Sequence, residues 1–250
     1  LYLDQFKNDL AQVINDAKNR NVLKIFLPNI DRSTVSDMLE LSKSYPDICY
    51  PIIGLHPCNV KQDYMDELEF IESELSRNRY YGIGETGIDL YWDQQYREEQ
   101  IKSFEHQILL ARKNDLPVII HSREALDLTI ELIEKHQDGR LKGIFHCFNG
   151  SLEQCKKVVE LNFLMGLGGV ISYKNAKLDD MVKWMPIEHM VLETDAPYLA
   201  PVPYRGKRNE SAYIPEIARK IAEIRAEPVE YIEKSTTINA LKLFGLDSES

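Results

Sequence analysis

Seven short runs of apolar and β-branched residues, each separated from the next by residues with helical spacing, set the tightest limit on how this chain can fold. The runs are Val22–Pro28, Ile48–His56, Tyr80–Glu85, Pro117–His121, Gly143–His146, Phe163–Gly169 and Met190–Asp195. Between them, Arg97, Ile101, Phe104, Ile108 and Ala111 recur at spacings of four, three, four and three, as one helical face requires. Leu68, Ile71 and Leu75 do the same before the third run passes, and Ile214, Ile217, Ala218 and Ile221 do so near the carboxyl end. Such alternation demands parallel strands joined by right-handed crossovers, because a hairpin cannot deliver a parallel neighbour.

A chain of 250 residues, 44% of them hydrophobic, can bury a substantial core. It can close as an open doubly wound sheet or as an eight-stranded barrel of about 250 residues. No glycine-rich phosphate loop opens an early helix, and polar residues recur at strand ends along the whole chain. The expected fold is therefore α/β, a TIM-like (β/α)8 barrel. The count is one strand short. Phe6, Leu10, Val13, Ile14 and Ala17 give the chain a helical face from its outset, so the first strand is expected to be missing from the sequence. No internal repeat, low-complexity segment or linker interrupts residues 1–250, and one domain is expected.

Each run is most informative at its last residues, which read His56, Glu85, His121, His146 and Asp195. In a barrel of parallel strands the carboxyl ends face one cavity, so residues far apart in sequence converge there. Imidazoles and carboxylates are donors for zinc and manganese, and carboxylates also suit magnesium. A single histidine at a strand end is more often hydrogen-bonded structure than ligand. Five such residues together point to a shared metal site. His106 and His136 fall within helical patterns and His189 precedes its strand, so all three are expected to be packing or surface residues. Glu193 shares a strand face with Asp195 by the period of two and is expected to be its structural companion.

A formal net charge of −10 argues against a chain that coats nucleic acid through its overall field, yet leaves room for a local site. The segment Tyr204 to Asn209 concentrates Arg205, Lys207 and Arg208, side chains that can hold phosphate oxygens. A cluster of three charges is usually a solvated loop, but this one follows the strand that carries Asp195. Tyr91, Trp92 and Tyr198 lie just past strand ends, where aromatics either pack the rim or stack on exposed bases. No apolar stretch approaches the roughly 18 residues of a membrane span. Four cysteines without CxxC spacing and an amino terminus without a basic start favour a cytoplasmic protein with reduced thiols. No obligate protein partner is evident.

The segments "GLHP" at His56, "GETGID" at Glu85, "IIHSR" at His121, "FHCF" at His146, "LETDAPYLAP" at Asp195 and "RGKRNE" from Arg205 together resemble the TatD family of metal-dependent hydrolases, which includes TatD-type deoxyribonucleases. The resemblance covers essentially the whole chain. It implies a TIM-like barrel, two divalent cations per site (magnesium, manganese or zinc) and hydrolysis of phosphodiester bonds, usually in DNA. It further implies that Glu85, His121, His146 and Asp195 are metal ligands, with Glu85 bridging, and that His56 is a substrate-side or supporting group. The family's opening strand ends in a His-x-His pair, which this sequence does not contain.

Hydrolysis by cation-activated water needs no covalent enzyme intermediate. Asp195 is placed to take the water's proton or to orient the water, which with Glu85 makes the expected catalytic pair. Arg205, Lys207, Arg208 and His56 are the expected substrate-binding residues, and DNA, cut as by an exonuclease, is the expected substrate. Two other readings stay open: hydrolysis of another ester or amide, such as an aminoacyl ester on tRNA, and a degenerate scaffold that binds metal without turnover.

Overall fold

The structure, a computed structural model, describes residues 1–92 and 94–246. Its strands are β1 (Ile25–Pro28), β2 (Cys49–Ile52), β3 (Ile83–Asp89), β4 (Val118–Arg123), β5 (Gly143–Phe145), β6 (Leu164–Leu167) and β7 (Met190–Leu192). Its helices are α1 (Leu10–Asn19), α2 (Val35–Ser44), α3 (Tyr64–Leu75), α4 (Arg97–Asn114), α5 (Leu126–His136), α6 (Leu152–Glu160), α7 (Asp179–Trp184), α8 (Ile214–Arg225) and α9 (Val229–Phe244). Every run singled out in the sequence overlaps one strand. The chain divides into two compact units, Phe26–Phe145 and Leu1–Ile25 with the segment from His146 onward.

In the first unit, β1 pairs with β2, and a parallel bridge between Ile53 and Ile83 ties the exit of β2 to β3. β3 then pairs in parallel with β4, and β4 with β5. Ile52, Ile53, Ile83, Val118 and Ile120 are buried, as are Phe104, Ile108 and Ala111 on α4. Each such side chain contributes on the order of 1.5–3 kcal/mol by leaving water. Arg97, expected on the same helical face, is exposed. The true buried face of α4 instead includes Gln100, Ser103 and Gln107.

β3 runs four residues further than its sequence run, which stopped at Glu85. Gly84 and Gly87 interrupt the apolar alternation there, and both have positive φ, a region L side chains rarely adopt. A Cβ at Gly87 would collide with the carbonyl oxygen of His121, its register partner on β4. Glycine thus lets β3 lie close against β4 and continue to Asp89, which faces Arg123. β1 shows the opposite change: it starts at Ile25 rather than Val22. The Val22 N–H still closes the end of α1 on the Ala17 carbonyl at 3.0 Å, and Asn21 sits in the left-handed region.

In the second unit, β6 pairs in parallel with β7, Met165 facing Met190 and Leu167 facing Leu192. Val13, Ile14 and Ala17 of α1 and Ile217, Ala218 and Ile221 of α8 are buried, in keeping with their sequence spacing. The pairings make an α/β fold with parallel strands. Among the described residues, no helix is long and apolar enough to cross a membrane.

Candidate metal centre

His56, Glu85 and His121 come together in the first unit, each offering one ligand atom, all within 4.8 Å of one another. His121 lies between two carboxylates: its Nδ1 is 2.9 Å from Glu85 Oε1 and its Nε2 is 2.9 Å from Asp89 Oδ2. Asp89 is only 2% exposed. Burial alone would raise its pKa, but the bonds from His121 and from the Tyr91 and Trp92 N–H groups hold it at about 2. Those N–H groups donate to Asp89 Oδ1 at 2.9 and 3.3 Å. Asp89 is therefore an ionised acceptor, and His121 carries its hydrogen on Nε2.

The consequence is chemical. In a neutral ring the lone pair then sits on Nδ1, facing a Glu85 carboxylate oxygen. Two electron-rich atoms at that distance need a cation between them, a proton or a metal ion. A carboxylate behind a histidine that presents its other nitrogen to a metal is the common supporting arrangement in metalloproteins. The donor set of imidazole and carboxylate suits a borderline divalent cation.

His56 differs. Its Nδ1 accepts the Cys58 N–H at 3.1 Å, so a neutral ring carries its hydrogen on Nε2, which lies 3.5 Å from Glu85 Oε1. Burial disfavours the imidazolium, but the neighbouring Glu85 carboxylate outweighs it and lifts the pKa to about 9. The Cys58 N–H on Nδ1 suits the neutral ring and the Glu85 carboxylate favours the charged one, and in both forms Nε2 carries a hydrogen. His56 is thus oriented as a donor beside Glu85.

Buried amides hold these segments in place. Gln107 Oε1 accepts the Leu55 N–H at 2.9 Å and its Nε2 donates to the Leu55 carbonyl at 3.2 Å, fixing the residue before His56. Two turns earlier on α4, Gln100 does the same to Asp89, at 2.9 and 3.2 Å. At the end of β1, Asn29 donates to the Gly54 carbonyl at 2.8 Å and its own carbonyl accepts the Glu85 N–H at 3.2 Å.

The second unit holds His146 and Asp195. His146 Nδ1 is 3.1 Å from Glu193 Oε1, and that oxygen also accepts the Cys147 N–H at 2.8 Å. The left-handed backbone at Cys147 turns its N–H onto Glu193, and Gly166 on β6 leaves the space the Glu193 carboxylate fills. Glu193 therefore supports His146, a more specific role than companion to Asp195. Asp195 also has left-handed backbone, and its carbonyl accepts the Tyr198 N–H at 2.8 Å. Asn209, fully buried, clamps this turn by donating from Nδ2 to the Thr194 and Tyr198 carbonyls, both at 2.6 Å.

The basic segment is not uniform. Arg208 is drawn inward, bonded to Asp9 Oδ2 at 2.6 Å and Glu210 Oε1 at 2.8 Å, with its guanidinium over the Phe6 ring. Arg205 lies over Tyr173 and Lys207 near Tyr204, and both are exposed. Of the remaining histidines, His136 bonds Glu105 at 2.8 Å and His189 the Phe163 carbonyl at 2.8 Å, while His106 lies inside α4, as expected of packing residues.

Sequence reasoning passed over Asp89, Gln100, Gln107 and Asn209. Asp89 carried a usable signal, because Glu85, Gly87 and Asp89 alternate onto one strand face. The seven-residue spacing of Gln100 and Gln107 on an otherwise apolar helix face was another.

The family model described as TatD related DNase matches residues 1–245. The uncharacterised metal-dependent hydrolase YabD of Bacillus subtilis is 36% identical over 248 residues, covering 99% of this chain and 97% of that protein. The 3'-5' ssDNA/RNA exonuclease TatD of Pectobacterium carotovorum is 29% identical, covering 97% and 95%. The crystal structure of YjjV, a TatD homologue from Escherichia coli, superposes with a TM-score of 0.92 at 29% identity, covering 98% of this chain and 95% of that one. A whole-chain match, a shared fold and a His/Glu/His group lead to one conclusion: the chain belongs to the TatD family of metal-dependent hydrolases.

Proposed function

We propose that this hydrolase is a nuclease that removes nucleotides from the ends of single-stranded DNA. The observation that carries the reading is His121 held between Asp89 and Glu85, in a chain whose relative from Pectobacterium is named a 3'-5' ssDNA/RNA exonuclease. A divalent cation held there, magnesium, manganese or zinc, supplies a nucleophile at neutral pH by acidifying water. Glu85 and His121 would hold the cation, and Asp89 keeps the Nδ1 lone pair of His121 turned towards Glu85. His146, steadied by Glu193, and Asp195 serve the same hydrolysis, Asp195 by taking the proton from water. Arg205 and Lys207 hold the substrate's phosphates, and His56 donates from Nε2 on the substrate side. Arg208 contributes to that rim through its ties to Asp9 and Glu210 rather than through phosphate.

The test is release of labelled nucleotides from a single-stranded oligodeoxynucleotide, with magnesium or manganese and with chelator. Metal-dependent release that Glu85→Ala abolishes supports the reading; full release by Glu85→Ala would overturn it. A hydrolase of another ester or amide is the second reading, favoured by the capture of Arg208, which leaves fewer basic groups for phosphate. Arg205→Ala separates the two, crippling a phosphate-binding enzyme and sparing one for small amides.

A further inference from the structure

The exit of β3 carries a cluster the hydrolytic chemistry does not use. Trp92 is 69% exposed and Tyr91 54%, and their rings meet edge to face at 4.9 Å. Arg123, at the end of β4, places its guanidinium 3.7 Å from the Tyr91 ring centre and 5.2 Å from that of Trp92. Under Trp92 lies a cavity of about 120 Å³ whose walls include Pro57, Val60, Lys61, Tyr96 and Asp89. Large exposed aromatics next to a cavity and a cation have the composition of a binding surface rather than of ordinary rim packing.

This cluster is continuous with the metal group on two sides. Asp89 lines the cavity and also bonds His121 Nε2, and the same carboxylate fixes the Tyr91 and Trp92 backbone through their N–H groups. Pro57 follows His56 directly. The backbone of the aromatic turn is thus held by the group that orients His121.

The geometry points to a nucleobase-binding subsite built from Trp92, Tyr91 and Arg123, which takes one unpaired base of a single-stranded nucleic acid beside the phosphate to be cut. It deepens the nuclease reading and rests on it for the identity of the substrate. The indole offers a flat apolar face for stacking, which tolerates any base. Arg123 and Lys61 supply positive charge for the flanking phosphates. A base-paired end, whose bases stack on each other, would use the subsite poorly, so single strands are preferred.

The experiment uses the full chain carrying Trp184→Phe, which leaves Trp92 as the sole tryptophan reporter. Oligodeoxyadenylate and an abasic oligomer of equal length are titrated with chelator present to prevent turnover. The oligodeoxyadenylate should quench Trp92 and bind about tenfold or more tightly than the abasic oligomer, as stacking of a single base implies. In cleavage assays on the otherwise native chain, Trp92→Ala should raise KM about tenfold with kcat little changed, and Trp92→Phe should restore most of the loss. Equal affinity for the two oligomers, with KM unaltered in Trp92→Ala, overturns the subsite and leaves the nuclease reading intact if DNA is still cut. Base-dependent quenching by a chain that never cuts DNA keeps the subsite and removes the nuclease reading.

Discussion

His121 follows the buried start of β4 in the first unit, His146 opens the second unit directly after β5, and each is held at one ring nitrogen by a carboxylate. For His121 that acid is Asp89, whose other oxygen takes two backbone N–H groups. For His146 it is Glu193, one oxygen of which is shared with the Cys147 N–H. The supporting device is the same. The difference is that Glu85 meets the second nitrogen of His121, so the first unit assembles a three-residue donor group. In both places the acid behind the ring, and not the histidine alone, decides which nitrogen is left to face outward.

The largest effect is expected where a direct donor is removed. Glu85→Ala and Asp195→Ala should each drive nucleotide release below detection while near-native circular dichroism shows the fold retained. Arg205→Ala comes next, with KM for DNA raised about tenfold and kcat less affected, the pattern of a lost phosphate contact. Asn209→Ala removes two buried side-chain bonds from the turn at Asp195 and should cost about 1–3 kcal/mol in denaturant unfolding. Gln107→Ala, which frees Leu55 before His56, should cost a similar amount or slightly less. Arg208→Ala should be mildest: a slightly lower melting temperature with KM unchanged, because its partners are acids at the protein surface. A raised KM in Arg208→Ala would return it to the phosphate-binding set.

Much of this was legible in the sequence. Each of the seven runs overlaps a strand, and helical spacing located the buried face of α8 and part of those of α3 and α4, because burial imposes that period on any sequence. His56, Glu85, His121, His146 and Asp195 were read as one group from their places at strand exits, and His56, Glu85 and His121 do offer ligand atoms within 4.8 Å of one another. What escaped was polar and buried. Gln100 and Gln107 drew no notice, since sequence does not reveal that a side chain bonds the backbone of another segment. Asp89 was hidden by Gly84 and Gly87, whose positive φ extends β3 past the end of its apolar run. Asn209 lay in a segment read for its charges, while its buried amide clamps the Asp195 turn.

Calorimetric titration of the native chain and of Asp89→Ala with manganese asks whether the acid behind His121 tunes a cation site. Asp89→Ala should bind about 10–100-fold more weakly than the native chain, the usual cost of losing a histidine's supporting carboxylate. Native affinity in Asp89→Ala would contradict the account, because His121 would then present Nδ1 to the cation without the carboxylate said to hold it there.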